Sequence, residues 1–122
     1  MLQPDFILLY VADPMASAAF YSGLFGIKPV ESAPTFVMFV FPTGLKLGLW
    51  VRREILPAAH AEAGAAELCI SRATDTAVRE LFDDWKTRGM PVLLEPTKLD
   101  FGLSFVVQDP DGHRIRVFAP GE

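Results

Sequence analysis

The sequence predicts an α+β protein that is built from two copies of one strand–helix–three-strand module. The first observation is an ungapped internal repeat, in which "DPMASAAFYSGLFGIKPV" from Asp13 aligns with "DTAVRELFDDWKTRGMPV" from Asp75. Each copy has apolar residues at helical spacing, which is typical of a helix that covers one face of a sheet. The second observation is that short apolar runs flank both helices in the same order. The repeat therefore extends beyond the helices.

Both predicted helices have recognisable end signals. Asp13 and Asp75 open the two segments, where a carboxylate can accept the free amide protons of the first turn. Gly26 and Gly89 follow the last helical residues and can adopt the left-handed cap conformation. The predicted inward-facing residues are Ala16, Ala19, Phe20 and Leu24 in the first helix, and Val78, Leu81, Phe82 and Trp85 in the second.

Eight strands are predicted around these helices. The first module has "FILLYVA" before its helix and "KPVES", "TFVMFVF" and "LKLGLWVR" after it. The second has "ELCISRA" before its helix and "PVLLEP", "LSFVVQ" and "RIRVFA" after it, with turn sequences such as "DPDG" between the runs. The modules are predicted to span residues 5–52 and 66–119 of a single domain, 1–122, with residues 53–65 as a linker.

The strands "FILLYV" and "TFVMFVF" are apolar on both faces, although one helix covers only one face of each sheet. The other face therefore needs a cover as well. A mixed sheet that curls around an apolar cleft, closed by a ligand or a second chain, would satisfy this requirement.

Composition excludes several classes of function. The chain has 122 residues, of which 51% are hydrophobic, and this suits one globular domain with a sizeable core. The net charge is −4 and the basic residues do not cluster, which argues against a nucleic-acid partner. The single cysteine, Cys69, excludes an internal disulfide framework. No signal peptide or membrane-spanning run is visible, and a cytoplasmic location is expected.

The order of elements, together with "YVADPMASAAFYSGLFG" and "DPDGHRIRVF", resembles the vicinal oxygen chelate superfamily. This superfamily includes glyoxalase I, extradiol dioxygenases and bleomycin-resistance proteins. Within it, "GLWVR" and "DFGLSFVVQDPDGHRIRVFAP" are similar to antibiotic-binding resistance proteins, in particular those of the phenazine-resistance type. The resemblance covers nearly the whole chain. It implies paired modules whose sheet curls around a cleft, and a homodimer.

The resemblance also implies where a metal would bind. Metal enzymes of the superfamily have a His on the first strand and a Glu on the last strand of each module, and those positions here are Phe6, Gly48, Glu67 and Arg116. Phenylalanine and glycine have no side-chain donor atom, and arginine stays protonated. A lone carboxylate does not hold a divalent metal in water. No metal and no other cofactor are therefore expected.

The same positions suggest a ligand-binding surface. Trp50 follows Gly48 by two residues and shares its face of the strand, and the missing side chain at Gly48 is expected to leave room for a planar ring on Trp50. Alternatively, Trp50 packs in the core. Glu67 and Arg116 are expected to be neighbours. Arg116 then pairs either with a ligand carboxylate or with Glu67.

Further aromatic residues complete the candidate set. Phe6 and Tyr10 share the cleft-facing side of the first strand, although strand phenylalanines are more often core residues. Phe39 is included, but alternation cannot place it because its whole strand is apolar. Phe101 lies in the loop before the last hairpin and is a candidate lid.

The expected function is metal-independent sequestration of a small planar aromatic compound, an antibiotic with a carboxylate or amide being the favoured case. Resistance would then come from stoichiometric binding. The alternative is a glyoxalase-like or dioxygenase-like enzyme with an atypical metal site, or a metal-free isomerase with Glu67 as its base. A third alternative is a dimer whose own side chains fill the cleft. No catalytic residue is predicted.

Overall fold

The computed structural model of the protein describes residues 1–121, and these form two compact units. The N-terminal unit ends at Ala61 and the C-terminal unit begins at Glu62, within the predicted linker. Each unit contains a strand, a helix and three further strands, so the predicted α+β class with two βαβββ modules is confirmed. The elements of the N-terminal unit are β1 (Phe6–Val11), α1 (Pro14–Phe25), β2 (Glu31–Ala33), β3 (Phe36–Val40), β4 (Lys46–Val51) and a 3-10 turn (Arg52–Glu54). Those of the C-terminal unit are β5 (Glu67–Ser71), α2 (Asp75–Thr87), β6 (Val92–Leu99), β7 (Gly102–Gln108) and β8 (Arg114–Pro120).

The N-terminal unit has a mixed sheet in the order β1-β4-β3-β2. Strand β1 pairs parallel with β4 because α1 carries the chain back to the same end of the sheet, and the other pairs are antiparallel. Helix α1 covers one face, where Phe25 contacts the ring of Phe39. The buried strand residues of this face are Val11, Val37, Phe39, Leu47, Leu49 and Val51. Their side chains form the core between sheet and helix.

The C-terminal unit repeats this arrangement in the order β5-β8-β7-β6. Strand β5 pairs parallel with β8, and β8 pairs antiparallel with β7. Helix α2 packs Phe82 and Trp85 against Phe105 of β7, with ring centroids 5.3 and 5.5 Å apart. The other buried strand residues beneath this helix include Leu103, Val107, Ile115 and Val117. Neither sheet closes into a barrel, because each order begins and ends on a different strand.

Relative to the sequence repeat, α2 begins one residue earlier than α1. Asp13 caps α1 as predicted, since its carboxylate accepts hydrogen bonds from the backbone N–H groups of Met15 and Ala16. The prediction that Asp75 caps α2 is wrong. Thr74 is the cap, and its hydroxyl accepts a hydrogen bond from the N–H of Ala77, whereas Asp75 is already helical. The structural equivalent of Asp13 is therefore Thr74.

This shift also changes which residues of α1 face inward. The buried residues of α1 include Ser17, Tyr21 and Leu24, which correspond in order to Val78, Phe82 and Trp85 of α2. The prediction of Ala16, Ala19 and Phe20 as inward-facing is wrong, because Ala16 and Ala19 are exposed and Phe20 is half-buried. Apolar residues surround α1 on most sides, so periodicity did not select its inward face. In α2, where the outer face is charged, periodicity gave three of the residues correctly.

The predicted hairpin at "DPDG" joins β7 to β8. Asp109 is 3% exposed, and its Oδ1 accepts hydrogen bonds from the N–H groups of Asp111 and His113 at 2.9 and 2.8 Å. This local network fixes the register of β7 against β8. In residues 1–121, neither helix is long and apolar enough to cross a membrane.

Candidate functional site

The side of each sheet that carries no helix of its own unit is called its open face. Strand alternation and register define the N-terminal open face, because residues that are paired across neighbouring strands point to the same face. Leu8 and Tyr10 of β1 lie opposite Gly48 and Trp50 of β4. Phe36 of β3 lies opposite Trp50 on the other edge of β4. Phe6 and Leu8 on this face are 37% and 42% exposed. The face is therefore mostly apolar and partly accessible to solvent. Its members are Phe6, Leu8, Tyr10, Glu31, Ala33, Phe36, Met38, Val40, Lys46, Gly48 and Trp50.

The expected gap beside Trp50 is filled by the unit's own side chains. A Cβ placed on Gly48 would lie 2.6 Å from Cδ2 of Leu8, 2.8 Å from Cε1 of Phe6 and 3.0 Å from Cε1 of Phe36. The prediction that Gly48 leaves room for a ligand ring is therefore wrong. Gly48 instead allows three apolar side chains to close over the middle of β4. A planar ligand would lie on this cluster rather than inside it.

Phe39 belongs to the other side of the sheet. It is fully buried, and its ring lies 6.4 Å from that of Phe25 in α1. Its partner across β3 and β4 is Leu47, which also lies in the core. The prediction of Phe39 as a ligand-binding residue is corrected for this reason, since it packs beneath the helix and does not reach the open face.

The C-terminal open face is polar where the N-terminal one is apolar. Glu67 and Cys69 of β5 lie opposite Arg114 and Arg116 of β8, and Arg116 lies opposite Val106 of β7. Alternation adds Ser71, Ser104 and Phe118 to the same face. Arg114 is exposed and lies at the rim of this face. The two arginines, the carboxylate and the hydroxyls give this face its chemistry.

Glu67 and Arg116 form a bidentate ion pair. Nε of Arg116 donates to Oε1 of Glu67 at 2.8 Å, and Nη2 donates to Oε2 at 2.9 Å. Nη1 donates to Oγ of Ser104 at 2.9 Å, and Ser104 is fully buried. The side chains of Arg116 and Glu67 are only 16% and 26% exposed. The sequence left open whether Arg116 pairs with a ligand carboxylate or with Glu67, and in the structure its partner is Glu67.

The ion pair changes the acid–base behaviour of the face. The hydrogen bonds from Arg116 lower the pKa of Glu67, and they outweigh the opposing effect of its burial. The same hydrogen bonds raise the pKa of Arg116, so the guanidinium stays charged. Desolvation, followed by the nearby charge of Glu67, raises the pKa of Cys69, which favours the thiol over the thiolate. Glu67 is thus a poor proton acceptor, and Cys69 is a poor nucleophile at neutral pH.

Phe101 lies at the edge of the C-terminal open face. Its ring is edge-to-face with Phe118 at 5.6 Å, and Cζ of Arg116 lies 5.8 Å from its centroid. Phe101 is 47% exposed, so one part of this ring is available to a ligand. The residue that follows Phe101 must be glycine, because the φ of Gly102 is +131° and a Cβ there would collide with the carbonyl oxygen of Ala119. The role of Phe101 as a lid stays a prediction.

The sequence reasoning missed Phe118, Ser104 and Phe36. Phe118 follows Arg116 by two residues, as Trp50 follows Gly48, and this shared spacing was the available signal. Ser104 is opposite Phe118 across β7 and β8, which only the strand register reveals. Phe36 could not be assigned to a face, because its strand is apolar on both faces and shows no alternation.

The register also tests whether the residues at the implied metal positions fit a metal ion. Phe6 and Glu67 occupy equivalent positions on the first strands of the two units, opposite Lys46 and Arg114. Gly48 and Arg116, two residues further along the last strands, are equivalent as well. Only one of these four positions has a side chain with a metal-binding oxygen, and both oxygens of Glu67 are bonded to Arg116. In residues 1–121, no three His, Cys, Asp or Glu residues are grouped to hold a metal ion. These residues do not fit a divalent metal.

A separate cavity of about 430 Å³ lies in the N-terminal unit, next to Val51 and the turn at Arg52 and Arg53. None of the predicted site residues lines it. Nη2 of Arg52 donates to the carbonyl oxygens of Ala59 and Ala61, at 3.4 and 2.6 Å. Arg52 thus holds the segment that follows the turn and serves a structural role.

Comparison with known proteins agrees with this geometry. The family model of the Glyoxalase/Bleomycin resistance protein/Dioxygenase superfamily matches residues 3–117. The phenazine antibiotic resistance protein EhpR of Enterobacter agglomerans is 33% identical over 119 residues, which cover 95% of this chain and 91% of that protein.

Two solved structures extend the likeness to the whole fold. The solution NMR structure of protein ATC0852 from Agrobacterium tumefaciens is 46% identical, with a TM-score of 0.90 over 100% of both chains. A glyoxalase-related enzyme from Fulvimarina pelagi is 27% identical, with a TM-score of 0.84 over 98% of this chain and 88% of that one. The chain belongs to the glyoxalase/bleomycin resistance protein/dioxygenase superfamily.

Proposed function

We propose that the protein binds a small planar aromatic compound without a metal ion and without changing it chemically, and that this capture contributes to antibiotic resistance. The observation that carries the proposal is the exposure of aromatic rings on the open faces, with Phe6 37% and Phe101 47% exposed. Exposed aromatic surface has an unfavourable free energy in water, and this free energy is regained when a flat ring stacks on the surface and excludes the water.

Kinship supports the ligand class. EhpR is named as a phenazine antibiotic resistance protein, and a phenazine is a flat, three-ring aromatic molecule. The identity of 33% over 95% of this chain makes a related ligand a reasonable starting point. We therefore take phenazine itself as the first probe.

The chemistry of Glu67 favours binding over catalysis. A general base needs a free lone pair and a pKa near the working pH. Both carboxylate oxygens of Glu67 accept hydrogen bonds from Arg116, and those bonds lower the pKa of Glu67. The metal-free isomerase alternative therefore lacks its base. The metal-enzyme alternative lacks donor atoms at the positions of Phe6, Gly48 and Arg116.

The test is equilibrium dialysis of phenazine against the purified, chelator-treated protein. We expect saturable binding, and we expect chromatography to recover the compound intact. Phe101→Ala should weaken binding at least about fivefold, because it removes an exposed ring that is worth roughly 1 kcal/mol in stacking. Met15→Ala is the matched control, since Met15 is an exposed apolar residue on α1. Equal weakening by both variants, or a converted product, would contradict the proposal.

Trp50 can report on binding at the N-terminal open face if Trp85 is first removed. Trp85 lies on the buried, inward face of α2, and its indole N–H has no hydrogen-bond partner among the described residues. Phenylalanine is therefore a conservative replacement there. In the Trp85→Phe protein, phenazine should quench the fluorescence of Trp50 with the affinity that dialysis gives. Quenching that does not saturate would show that Trp50 is not part of a binding surface.

The proposal includes a homodimer, which is expected from the family resemblance. Sedimentation equilibrium at micromolar concentration measures this directly. A mass near twice the 13.4 kDa of the chain is expected. A monomer that still binds phenazine would remove the dimer from the proposal and leave the ligand in place.

A further inference from the structure

The proposed function leaves open which planar compounds are accepted, and the ion pair on the C-terminal open face bears on this choice. Arg116 is the residue that a ligand carboxylate would be expected to bind. Two of its donors, Nε and Nη2, are already bonded to Glu67 at 2.8 and 2.9 Å. The carboxylate of Glu67 thus occupies the place that an anionic ligand group would take.

The charges of the pair cancel at close range. Glu67 stays ionised because Arg116 lowers its pKa, and the guanidinium stays protonated because Glu67 raises the pKa of Arg116. Both side chains are partly removed from solvent, so the repulsion between Glu67 and a second carboxylate is only partly screened. An anionic ligand must then either displace Glu67, leaving that charge unpaired, or accept this repulsion.

Arg116 still has hydrogen-bonding capacity for an uncharged partner. A guanidinium has five N–H groups, and bonds to Glu67 and Ser104 use three, so two remain. A ring nitrogen or an amide carbonyl oxygen can accept from them without bringing a negative charge next to Glu67. The ring of Phe101 lies beside the same guanidinium, with Phe118 edge-to-face against it, and offers apolar surface to the rings of such a ligand.

Resting on the proposed function, we propose that the preferred ligands are uncharged planar heteroaromatic compounds with a hydrogen-bond acceptor, and that Glu67 discriminates against their carboxylated relatives. The Glu67–Arg116 pair acts as a neutral polar platform with free donors. Glu67 is the specificity-determining residue, because it neutralises Arg116 before any ligand arrives.

The test compares three probes at pH 7.5 by isothermal titration calorimetry: phenazine, phenazine-1-carboxamide and phenazine-1-carboxylate. The carboxamide and the carboxylate have nearly the same shape and differ in charge. The wild-type protein should bind the carboxamide at least about tenfold more tightly than the carboxylate. In Glu67→Gln, which keeps the side-chain size and removes the negative charge, this ratio should fall at least about tenfold.

Glu95→Gln is the matched control, because Glu95 is an exposed acid of β6 whose loss changes the net charge equally. It should leave the ratio unchanged. The ratio of the two affinities is the readout, so a general weakening of binding in a variant does not affect it. Circular dichroism confirms that each variant is folded.

The outcomes separate the two proposals. Tighter binding of the carboxylate by the wild-type protein would overturn this inference while upholding capture of planar compounds. An equal change of the ratio in Glu67→Gln and Glu95→Gln would overturn it too, because overall charge would then explain the preference. Failure of all three probes to bind would overturn the proposed function and, with it, this inference.

Discussion

Gly48 on the N-terminal open face and Arg116 on the C-terminal open face are equivalent positions of the two units, and their surroundings differ in kind. Phe6, Leu8 and Phe36 close over Gly48, whereas Arg116 is held by Glu67 and Ser104. Beneath the helices the two units remain alike, with aromatic and aliphatic side chains on both sheets. The comparison teaches that burial restricts the helix side of this module to apolar residues, while its open face is free to differ in chemistry.

The largest effect is expected from giving the N-terminal face the arginine of the C-terminal one. Gly48→Arg should lower the free energy of unfolding by about 3 kcal/mol, since the new side chain must displace Phe6, Leu8 and Phe36 and lacks a counter-ion. Denaturant unfolding measures this loss. The double variant Phe6→Glu, Gly48→Arg should recover part of it, because it transfers the pair as well. A Gly48→Arg protein as stable as the wild type would refute the packing described above.

The next effect comes from breaking the pair where it exists. Arg116→Met should cost about 1–2 kcal/mol, because Glu67 and Ser104 lose their partner in a partly buried place. Adding Glu67→Gln to Arg116→Met should cost less than the sum of the single changes. Additivity in this double-mutant cycle would show that the pair contributes nothing to stability.

The contribution of the pair should also depend on pH. The folded pKa of Glu67 is lowered, so its stabilisation is fully present above the unfolded carboxyl pKa of about 4.3 and is lost as the pH falls through the lower folded value. The stability difference between wild type and Glu67→Gln should therefore shrink below about pH 4. A difference that stays constant into acid would contradict the shift.

A smaller effect distinguishes the two residues at the start of α2. Thr74→Ala should cost about 1 kcal/mol, because it removes the cap of the Ala77 N–H group. Asp75→Ala should cost less than about 0.5 kcal/mol, since Asp75 contributes only the favourable position of an acid in the first turn and an exposed ion pair with Lys98. Thermal unfolding compares the two, and the reverse order would restore the sequence alignment that starts at Asp75.

The smallest effect is a change in the reactivity of Cys69. The thiol lies opposite Arg116, and the charge of Glu67 helps to raise its pKa. In Glu67→Gln, the rate of alkylation by iodoacetamide should therefore rise at a lower pH than in the wild type. Glu95→Gln is again the control and should leave the profile in place. An unchanged profile in Glu67→Gln would show that Cys69 does not sense the pair.

The sequence predicted those parts of the fold that depend on local patterns. Asp13, the inward face of α2 and the hairpin at Asp109 follow from short-range rules on capping, periodicity and turns. The inward face of α1 did not follow, because its residues are apolar on most sides. For the same reason, alternation could not place Phe39, and its inclusion among the ligand-binding residues was wrong because it packs beneath α1.

The site was predicted less completely, because it depends on contacts between strands that local sequence patterns do not reveal. The positions of Glu67 and Arg116 indicated that they are neighbours, but their mutual bidentate pairing needed the geometry of β5 and β8. The space above Gly48 depends on side chains from β1 and β3, which no local rule describes. The role of Ser104 beneath Arg116 depends on the register of β7.

The central claim is that the protein holds a planar aromatic compound without a metal ion. The most direct measurement is calorimetric titration of chelator-treated protein with phenazine-1-carboxamide. The titration is repeated after addition of Zn²⁺, Ni²⁺ or Mn²⁺. The compound is then recovered and its molecular mass is determined by mass spectrometry. We expect one saturable event, the same affinity in every case and an unaltered compound. Binding that requires one of the metal ions, or a compound of changed mass, would contradict the account.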